Sequence, residues 1–313
     1  MTFPVSLDEI EFAAGRIHGR VRTTPVLELE PETFGHGLVA KLELLQHTGS
    51  FKPRGAFNRA LSTTIPPAGI IAASGGNHGL AVAHVAATLG VAAEIFVPEV
   101  SPAAKVDRLA AYGPPVTVTV GGERYADAQE AADVRAAATG ATMIHPYDHP
   151  AVVAGQATMA RELDLQVDGV IDTLVIAVGG GGLIAGAACW FGKRVKIVAV
   201  EPATSRALGA ALDAGRPVDV EVSGVAADSL GARRVGDLAF AAATAAGVVA
   251  VTVDDADIVG AQRLLWDRVR LVAEPGGAAA LAAIRSGAYR PHPDERVAVV
   301  VCGANADPAS VTG

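Results

Sequence analysis

The stretch Leu174-Val175-Ile176-Ala177-Val178-Gly179-Gly180-Gly181-Gly182-Leu183 decides the fold class. Five apolar residues in a row, without polar alternation, suit a strand buried on both faces, and such strands belong to parallel sheets covered by helices. Four glycines follow, and Leu183 to Phe191 then carries a helical pattern. Val195 to Val200 reads as the next strand and Arg206 to Ala214 as the next helix. The alternation repeats outward from this unit. Towards the start of the chain, Ile70 to Ala73, Ala93 to Val97 and Val116 to Val120 read as strands. The helices among them run from Asn77 to Leu89, Ala103 to Tyr112 and Arg124 to Ala138, with Gly90, Gly113 and Gly140 placed to end them in the left-handed conformation. Towards the end, Val248 to Val253, Ile258 to Val269 and Val297 to Val301 continue the pattern. Strand–helix–strand repetition predicts an α/β protein with parallel sheets flanked by helices. Two lobes are expected rather than one sheet. The segment Ile144-His145-Pro146-Tyr147-Asp148-His149-Pro150 reads as a hinge, because its prolines interrupt both periodicities.

The composition narrows the function. The chain has 313 residues, with 25 Lys+Arg against 33 Asp+Glu and a net charge of −8. Half of the residues are hydrophobic and 19% are charged, which excludes a mainly disordered protein. The acidic balance and the lack of basic runs argue against nucleic acid or an anionic membrane as a partner. No stretch reaches the roughly 18 apolar residues of a membrane span, and no signal peptide is expected in Met1 to Glu11. Cys189 and Cys302 lie far apart and form no metal or redox motif. A cytoplasmic protein is therefore expected.

Four segments stand out chemically. In Thr48-Gly49-Ser50-Phe51-Lys52-Pro53-Arg54-Gly55-Ala56, Pro53 suits the first turn of a helix. Lys52 would then sit at the positive end of the helix dipole, which favours the neutral amine that a Schiff-base lysine needs. Taken alone, the segment reads more readily as a surface lysine in a helix-start turn. Ser74-Gly75-Gly76-Asn77-His78-Gly79 lies between a strand and a helix, where small residues let backbone N–H groups approach an anion such as a carboxylate. Asn77 is equally suited to capping that helix. Gly179 to Gly182 suggests close approach of a phosphate to the backbone. The same turn also supports a rival, since Gly180, Gly182 and Ala185 satisfy the dinucleotide-binding spacing and Glu201 stands near the expected acidic position. Val301-Cys302-Gly303-Ala304-Asn305 ends a strand, where ligands bind in doubly wound folds; a buried free thiol is the plainer reading of Cys302. His145, Asp148 and His149 are not expected to bind metal, because Pro146 precludes helical ligand spacing. Asp254-Asp255 reads as a helix cap.

Together these segments resemble the serine/threonine dehydratase family of fold-type II pyridoxal-phosphate (PLP) enzymes, a group that includes serine racemases. The likeness runs through nearly the whole chain. It includes Thr24-Pro25-Val26, Lys41-Leu42-Glu43-Leu44-Leu45-Gln46, the Lys52 and Asn77 segments, Ala154-Gly155-Gln156-Ala157-Thr158, the four glycines, Val200-Glu201-Pro202, Glu274-Pro275-Gly276-Gly277-Ala278 and Cys302-Gly303-Ala304-Asn305. The resemblance implies a two-domain, tryptophan synthase β-like fold, each domain a mostly parallel sheet flanked by helices. Residues 1–67 and 148–313 would form a large PLP-binding domain and residues 68–147 a small mobile one that binds substrate. It also implies roles. Lys52 would hold PLP as an imine and act as the base, with Phe51 packing near the ring and Asn77 bonding the ring hydroxyl. The backbone of Gly179, Gly180, Gly181, Gly182 and Leu183 would hold the phosphate. Ser74, Gly75, Asn77 and His78 would grip the substrate carboxylate, and Cys302 would face the pyridine nitrogen. A thiol brings no charge there, so the nitrogen should stay neutral, which favours expulsion of a β-leaving group.

The expected activity is β-elimination from L-threonine or L-serine, giving 2-oxobutanoate or pyruvate plus ammonia, in a homodimer with a small amino-acid substrate. Two departures from the family pattern sharpen this. Racemases of the family usually carry a second Ser where this chain has Gly75, so racemisation is disfavoured. The divalent site of many relatives pairs the Glu of Glu201-Pro202 with an Asp six residues on, where this chain has Ala207, so no metal is expected. Ala227-Asp228-Ser229-Leu230 also departs from the usual Ala-Asp-Gly. The alternatives are a lyase or racemase acting on serine, 3-hydroxyaspartate or aryl-serines, a β-replacement synthase, a non-catalytic PLP protein, and the nucleotide-dependent oxidoreductase.

Overall fold

A computed structural model describes residues 2–312. Ten strands form two sheets. They are β1 (Val26–Leu29), β2 (Leu38–Lys41), β3 (Ile70–Ala73), β4 (Ala93–Val97), β5 (Val116–Val120), β6 (Thr142–Met143), β7 (Thr173–Ala177), β8 (Lys196–Pro202), β9 (Val249–Val253) and β10 (Val297–Val300). One sheet has the order β1-β2-β10-β7-β8-β9, parallel except for the antiparallel β1–β2 pair. The other is fully parallel, in the order β5-β4-β3-β6. Every residue of β3, β7 and β10 is buried, as two-sided burial in a sheet interior demands, whereas the edge strands β5 and β9 are part exposed.

The helices are α1 (Leu7–Ile17), α2 (Pro31–Phe34), α3 (Lys52–Leu61), α4 (Asn77–Leu89), α5 (Ala103–Ala110), α6 (Tyr125–Thr139), α7 (Pro150–Gln166), α8 (Gly182–Phe191), α9 (Ala207–Ala214), α10 (Ala227–Leu230), α11 (Asp237–Ala246), α12 (Asp255–Val269), α13 (Pro275–Ser286) and α14 (Ala309–Thr312). Gly90 and Gly140 end α4 and α6 in the left-handed conformation. The expected stop at Gly113 is different: α5 ends at Ala110, and Gly113 closes a further turn that follows it. The Ile144–Pro150 segment joins β6 to α7, and its last proline opens α7 rather than interrupting it. Asp254 takes the N-cap position of α12.

Three helices, α3, α7 and α8, pack backbone against backbone. A Cβ at Gly155 of α7 would lie 2.5 Å from the Arg54 carbonyl oxygen of α3, and one at Gly186 of α8 would lie 2.5 Å from the Ala157 amide nitrogen of α7. Glycine at both positions is therefore a packing requirement. Beside this contact lies a buried ionic cluster. Arg54 donates to both oxygens of Glu43, at 2.8 and 2.7 Å, and to both oxygens of Glu162, at 3.1 and 3.0 Å. Lys41 donates to Glu162 at 2.6 Å, to Gln166 at 2.6 Å and to the Thr24 carbonyl at 2.8 Å. Burial opposes the charge on Arg54, but the two carboxylates outweigh it and hold the guanidinium protonated. Removing one partner would leave carboxylates buried without compensation. Arg54→Ala is therefore expected to lower folding stability by ~3–5 kcal/mol in a urea titration; a loss below about 1 kcal/mol would show that the cluster does not anchor α3.

Candidate active site

Lys52 is the first residue of α3, with Pro53 in the first turn as its sequence requires. The strand-like run before it lies along the chain that leaves β10. Phe51 N–H donates to the Cys302 carbonyl at 3.3 Å, Ala304 N–H donates to the Gly49 carbonyl at 2.8 Å, and Ser50 pairs with Gly303. This pairing brings position 52 beside position 302. Thr48 and Gly49 both adopt positive φ (64° and 75°), which turns the chain into the pairing. The Ser50 hydroxyl is buried and has no partner among the described residues.

The Lys52 amine donates to the Pro146 carbonyl at 2.9 Å and stands 5.1 Å from the Phe51 ring centre. Burial pulls its pKa from 10.5 down to about 8, against an opposing pull from Cys302 and Glu274. The Cys302 thiol, 4% exposed, donates to the Gly276 carbonyl at 3.4 Å. Burial, and then the neighbouring Glu274, push its pKa up, so it stays a neutral thiol.

At the four glycines, α8 begins at Gly182 with Gly181 as its N-cap at φ 91°. The N–H groups of Gly179, Gly180, Gly181, Gly182 and Leu183 have no acceptor among the described residues. A row of unpaired N–H groups at a helix start suits a phosphate. One expectation needs correction. The close approach that forbids side chains here comes from the protein itself: a Cβ at Gly180 would overlap the Tyr147 ring, one at Gly181 would overlap Ala239, and one at Gly179 would lie 3.0 Å from Leu230. The glycines thus serve packing on one side and leave their N–H groups open on the other. Tyr147 was not anticipated as a site residue, although the sequence showed it between two prolines of the supposed hinge.

The Ser74–Gly79 loop meets the start of α4. Gly76, not Asn77, is the N-cap, so the capping alternative for Asn77 fails. The N–H groups of Asn77, His78 and Gly79 have no acceptor among the described residues, while Gly76 N–H is held by Ser74 Oγ at 3.2 Å. His78 is brought here only by its backbone. Its ring is buried and donates from Nε2 to the Ile144 carbonyl at 2.7 Å; burial and then the Lys52 charge lower its pKa to about 3, so it is neutral. A Cβ at Gly75 would point at Ser101 Oγ, 3.2 Å away. The Asn77 carboxamide donates to Glu274 at 2.6 Å and accepts from Asn305 Nδ2 at 2.6 Å. Glu274, 5% exposed, is raised by burial to about 7. Glu274 and Asn305 were legible only as parts of longer motifs. A small cavity opens among Gly75, Gly76, Asn77, Glu274, Asn305 and Arg108.

The dinucleotide rival loses its acidic partner. Glu201 is fully buried and accepts from the Leu208 and Gly209 N–H groups at 2.7 and 2.8 Å, so it is committed to the start of α9 and turned away from any ribose. The departures near Ala227 also find a use. Asp228 pairs with Lys105, and Ser229 Oγ accepts from Gly276 N–H at 3.0 Å at the start of α13. Asp148 accepts from the first N–H groups of α11, and His149 accepts from Ala151 N–H, so both act as caps. No group of three or more potential metal-ligating side chains comes together among the described residues.

A family model described as "Pyridoxal-phosphate dependent enzyme" matches residues 17–303. This chain belongs to that family. PLP is accordingly its cofactor, and the residues present fit it: an open N–H row for a phosphate, an easily neutralised amine for an aldehyde, and an uncharged thiol beside the amine. The chain is 37% identical to the L-threonine dehydratase biosynthetic IlvA of Mycobacterium leprae, covering 98% of this chain and 74% of that protein. It is also 37% identical to the Escherichia coli protein of the same name, over 92% of this chain and 57% of the other; the chain thus spans little more than half of that relative. Among solved structures, a threonine deaminase from T.th. superposes with a TM-score of 0.90 at 34% identity, covering 96% of this chain and 99% of that one. Maize serine racemase superposes with a TM-score of 0.91 at 29% identity, covering 98% and 96%.

The lowered pKa of Lys52 gives the enzyme a pH signature. Above about pH 8 the amine is neutral and able to attack an aldehyde; below it the proton must first leave. With Lys52 as the group that takes PLP, the rate at which the cofactor-free protein acquires its yellow colour should fall as pH is lowered through 8, approaching about tenfold per unit. A rate that is flat between pH 6.5 and 9, followed by stopped-flow absorbance, would contradict the assignment.

Proposed function

We propose that this enzyme is a PLP-dependent ammonia-lyase that converts L-threonine or L-serine into 2-oxobutanoate or pyruvate plus ammonia. The observation that carries the reading is the juxtaposition of a half-buried, readily deprotonated Lys52 with the uncharged Cys302 thiol. The dehydratase and deaminase relatives support it. When bound, PLP supplies an electron sink for the charge left as the α-proton departs.

The chain's own residues have the following parts. The N–H groups of Gly179 to Leu183 would hold the phosphate, and the start of α8 would add its positive dipole end. Lys52 would hold the cofactor through its amine, and the same Nζ is the group placed to take the α-proton as general base. Desolvation lowers the pKa of its amine to about 8, so the neutral form is abundant at mildly alkaline pH. Phe51 would pack by the cofactor ring, and Asn77 would bond its hydroxyl. Cys302, whose S–H is given to the Gly276 carbonyl, would bring the ring nitrogen no charge, which would limit the lifetime of negative charge at Cα and favour loss of the β-hydroxyl. Ser74, Gly75 and the N–H groups of Asn77 and His78 receive the substrate carboxylate at the start of α4.

The unit built on β3 to β6, residues 68–147, acts as the small domain and closes on the remainder, which forms the large one. The Lys105–Asp228 ion pair, between α5 and α10, supports such a closure. The active form is a homodimer, and the compartment is cytoplasmic; both cysteines are free thiols. No helix among the described residues is long and apolar enough to cross a membrane.

Lys52→Ala should abolish ammonia release and the borohydride-reducible attachment of cofactor. Wild-type enzyme offered threonine, serine, threo-3-hydroxyaspartate, phenylserine, and O-acetylserine with a thiol should release most ammonia from threonine or serine, with the 2-oxo acid identified by mass. Near-normal turnover by the alanine variant would remove Lys52 from the mechanism. A clear preference for the aspartate or aryl substrate, or for thiol addition, would replace the substrate assignment. Gly75→Ser places a hydroxyl on the substrate loop, next to Ser101, and should raise the ratio of D-serine formed to pyruvate formed. An unchanged ratio, measured by chiral chromatography, would detach reaction choice from this position.

A further inference from the structure

Four side chains at the mouth of the site form a row in which every donor points the same way. Arg108 Nη2 donates to Asn305 Oδ1 at 2.6 Å, Asn305 Nδ2 donates to Asn77 Oδ1 at 2.6 Å, and Asn77 Nδ2 donates to Glu274 Oε1 at 2.6 Å. A cation stands at one end and a carboxylic group at the other, so the two amide dipoles between them align head to tail and each bond polarises the next. The row crosses three times between the parts of the molecule. Arg108 and Asn77 come from α5 and α4, which flank the four-stranded sheet; Asn305 follows β10, and Glu274 is the N-cap of α13.

Two further observations show that the row is built in. Glu274 is buried with no ion pair among the described residues, an arrangement that costs stability and needs a compensating role. Its space is reserved, because any Cβ at Gly303 would overlap its carboxyl group. Asn305 is also anchored, its Nδ2 donating to the Thr48 carbonyl at 2.8 Å in the segment that leads to Lys52. A flipped Asn77 amide would set oxygen against the Glu274 oxygen and N–H against the Asn305 N–H. The row therefore permits one orientation only.

We infer that Arg108, Asn305 and Glu274 are positioning residues that hold the Asn77 carboxamide in a single orientation towards the cofactor ring. The inference rests on the PLP reading of Asn77 given above. Arg108 touches neither Asn77 nor Glu274 in the row; it acts through Asn305. It is exposed at the rim, so its replacement does not endanger folding.

The test is a double-mutant cycle on the PLP-loaded enzyme with Arg108→Ala, Glu274→Gln and the combination, plus Arg108→Lys. Two readouts are taken besides turnover: the cofactor dissociation constant, from quenching of protein fluorescence, and the ratio of visible to near-ultraviolet absorbance of the bound cofactor, which the hydrogen bond at the ring hydroxyl controls. Each single variant should weaken cofactor binding about three- to tenfold and shift the absorbance ratio. The double variant should go little beyond the larger single effect, and Arg108→Lys should recover most of the loss. Effects that multiply, or an Arg108→Ala variant with wild-type spectrum and affinity, would overturn the inference. A wild-type protein that develops no visible band with PLP would instead fail the underlying reading.

Discussion

The Arg54 guanidinium, sealed between Glu43 and Glu162, is the contact on which the rest of the site depends. It is in the first turn of α3, two residues after Lys52. Glu43 precedes α3 and Glu162 lies on α7, so one planar cation ties together the chain before the lysine, the lysine's own helix and the helix packed beneath it. A buried charge cluster of this kind is a poor source of net stability but a strict source of geometry, since any shift leaves an ion uncompensated. The glycines at 155 and 186 allow the same three helices to meet at backbone distance. Position, more than intrinsic chemistry, distinguishes Lys52 from the other lysines: the start of a helix held this firmly keeps its amine in a low-polarity site where the proton is easily lost.

The four glycines illustrate how one motif answers two demands. On one side Tyr147, Ala239 and Leu230 press against the backbone so closely that a methyl group would collide or crowd them. On the other the N–H groups face away from any protein acceptor. A loop that is wedged on its side-chain face is rigid on its polar face, and a preorganised row of donors binds an anion without an ordering cost. The entropic penalty of consecutive glycines is thus offset by close packing.

Much of this was readable in the chain because local physics was strong where function was concentrated. Ile70–Ala73, Ala93–Val97 and Asn77–Leu89 follow from largely apolar, largely buried stretches bounded by turn residues, and Val116–Val120 from its alternation of valine and threonine. The long α7 was not legible. It is apolar around much of its surface, so no amphipathic stripe marked it, and its opening Pro150 looked like part of a linker. Gly113 misled for a related reason: a turn after α5 can use a left-handed glycine just as a helix end can. Glu201 was a reasonable acidic partner by spacing, yet nothing in spacing reveals that the α9 amides would claim it.

The sequence by itself determined the class of fold and the family, and it singled out Lys52, Cys302 and the four glycines as candidates. These depend on short-range patterns: apolar runs, turn residues and motifs a few residues long. Tertiary structure alone decided which groups face each other across more than two hundred residues. The pairing of Ser50 with Gly303, and the row from Arg108 through Asn305 and Asn77 to Glu274, are long-range contacts between chain segments that share no local periodicity. A side chain's partners, its burial and hence its proton affinity arise only when the sheets close over it, which is why Lys52 could be named from the chain but its lowered pKa could not.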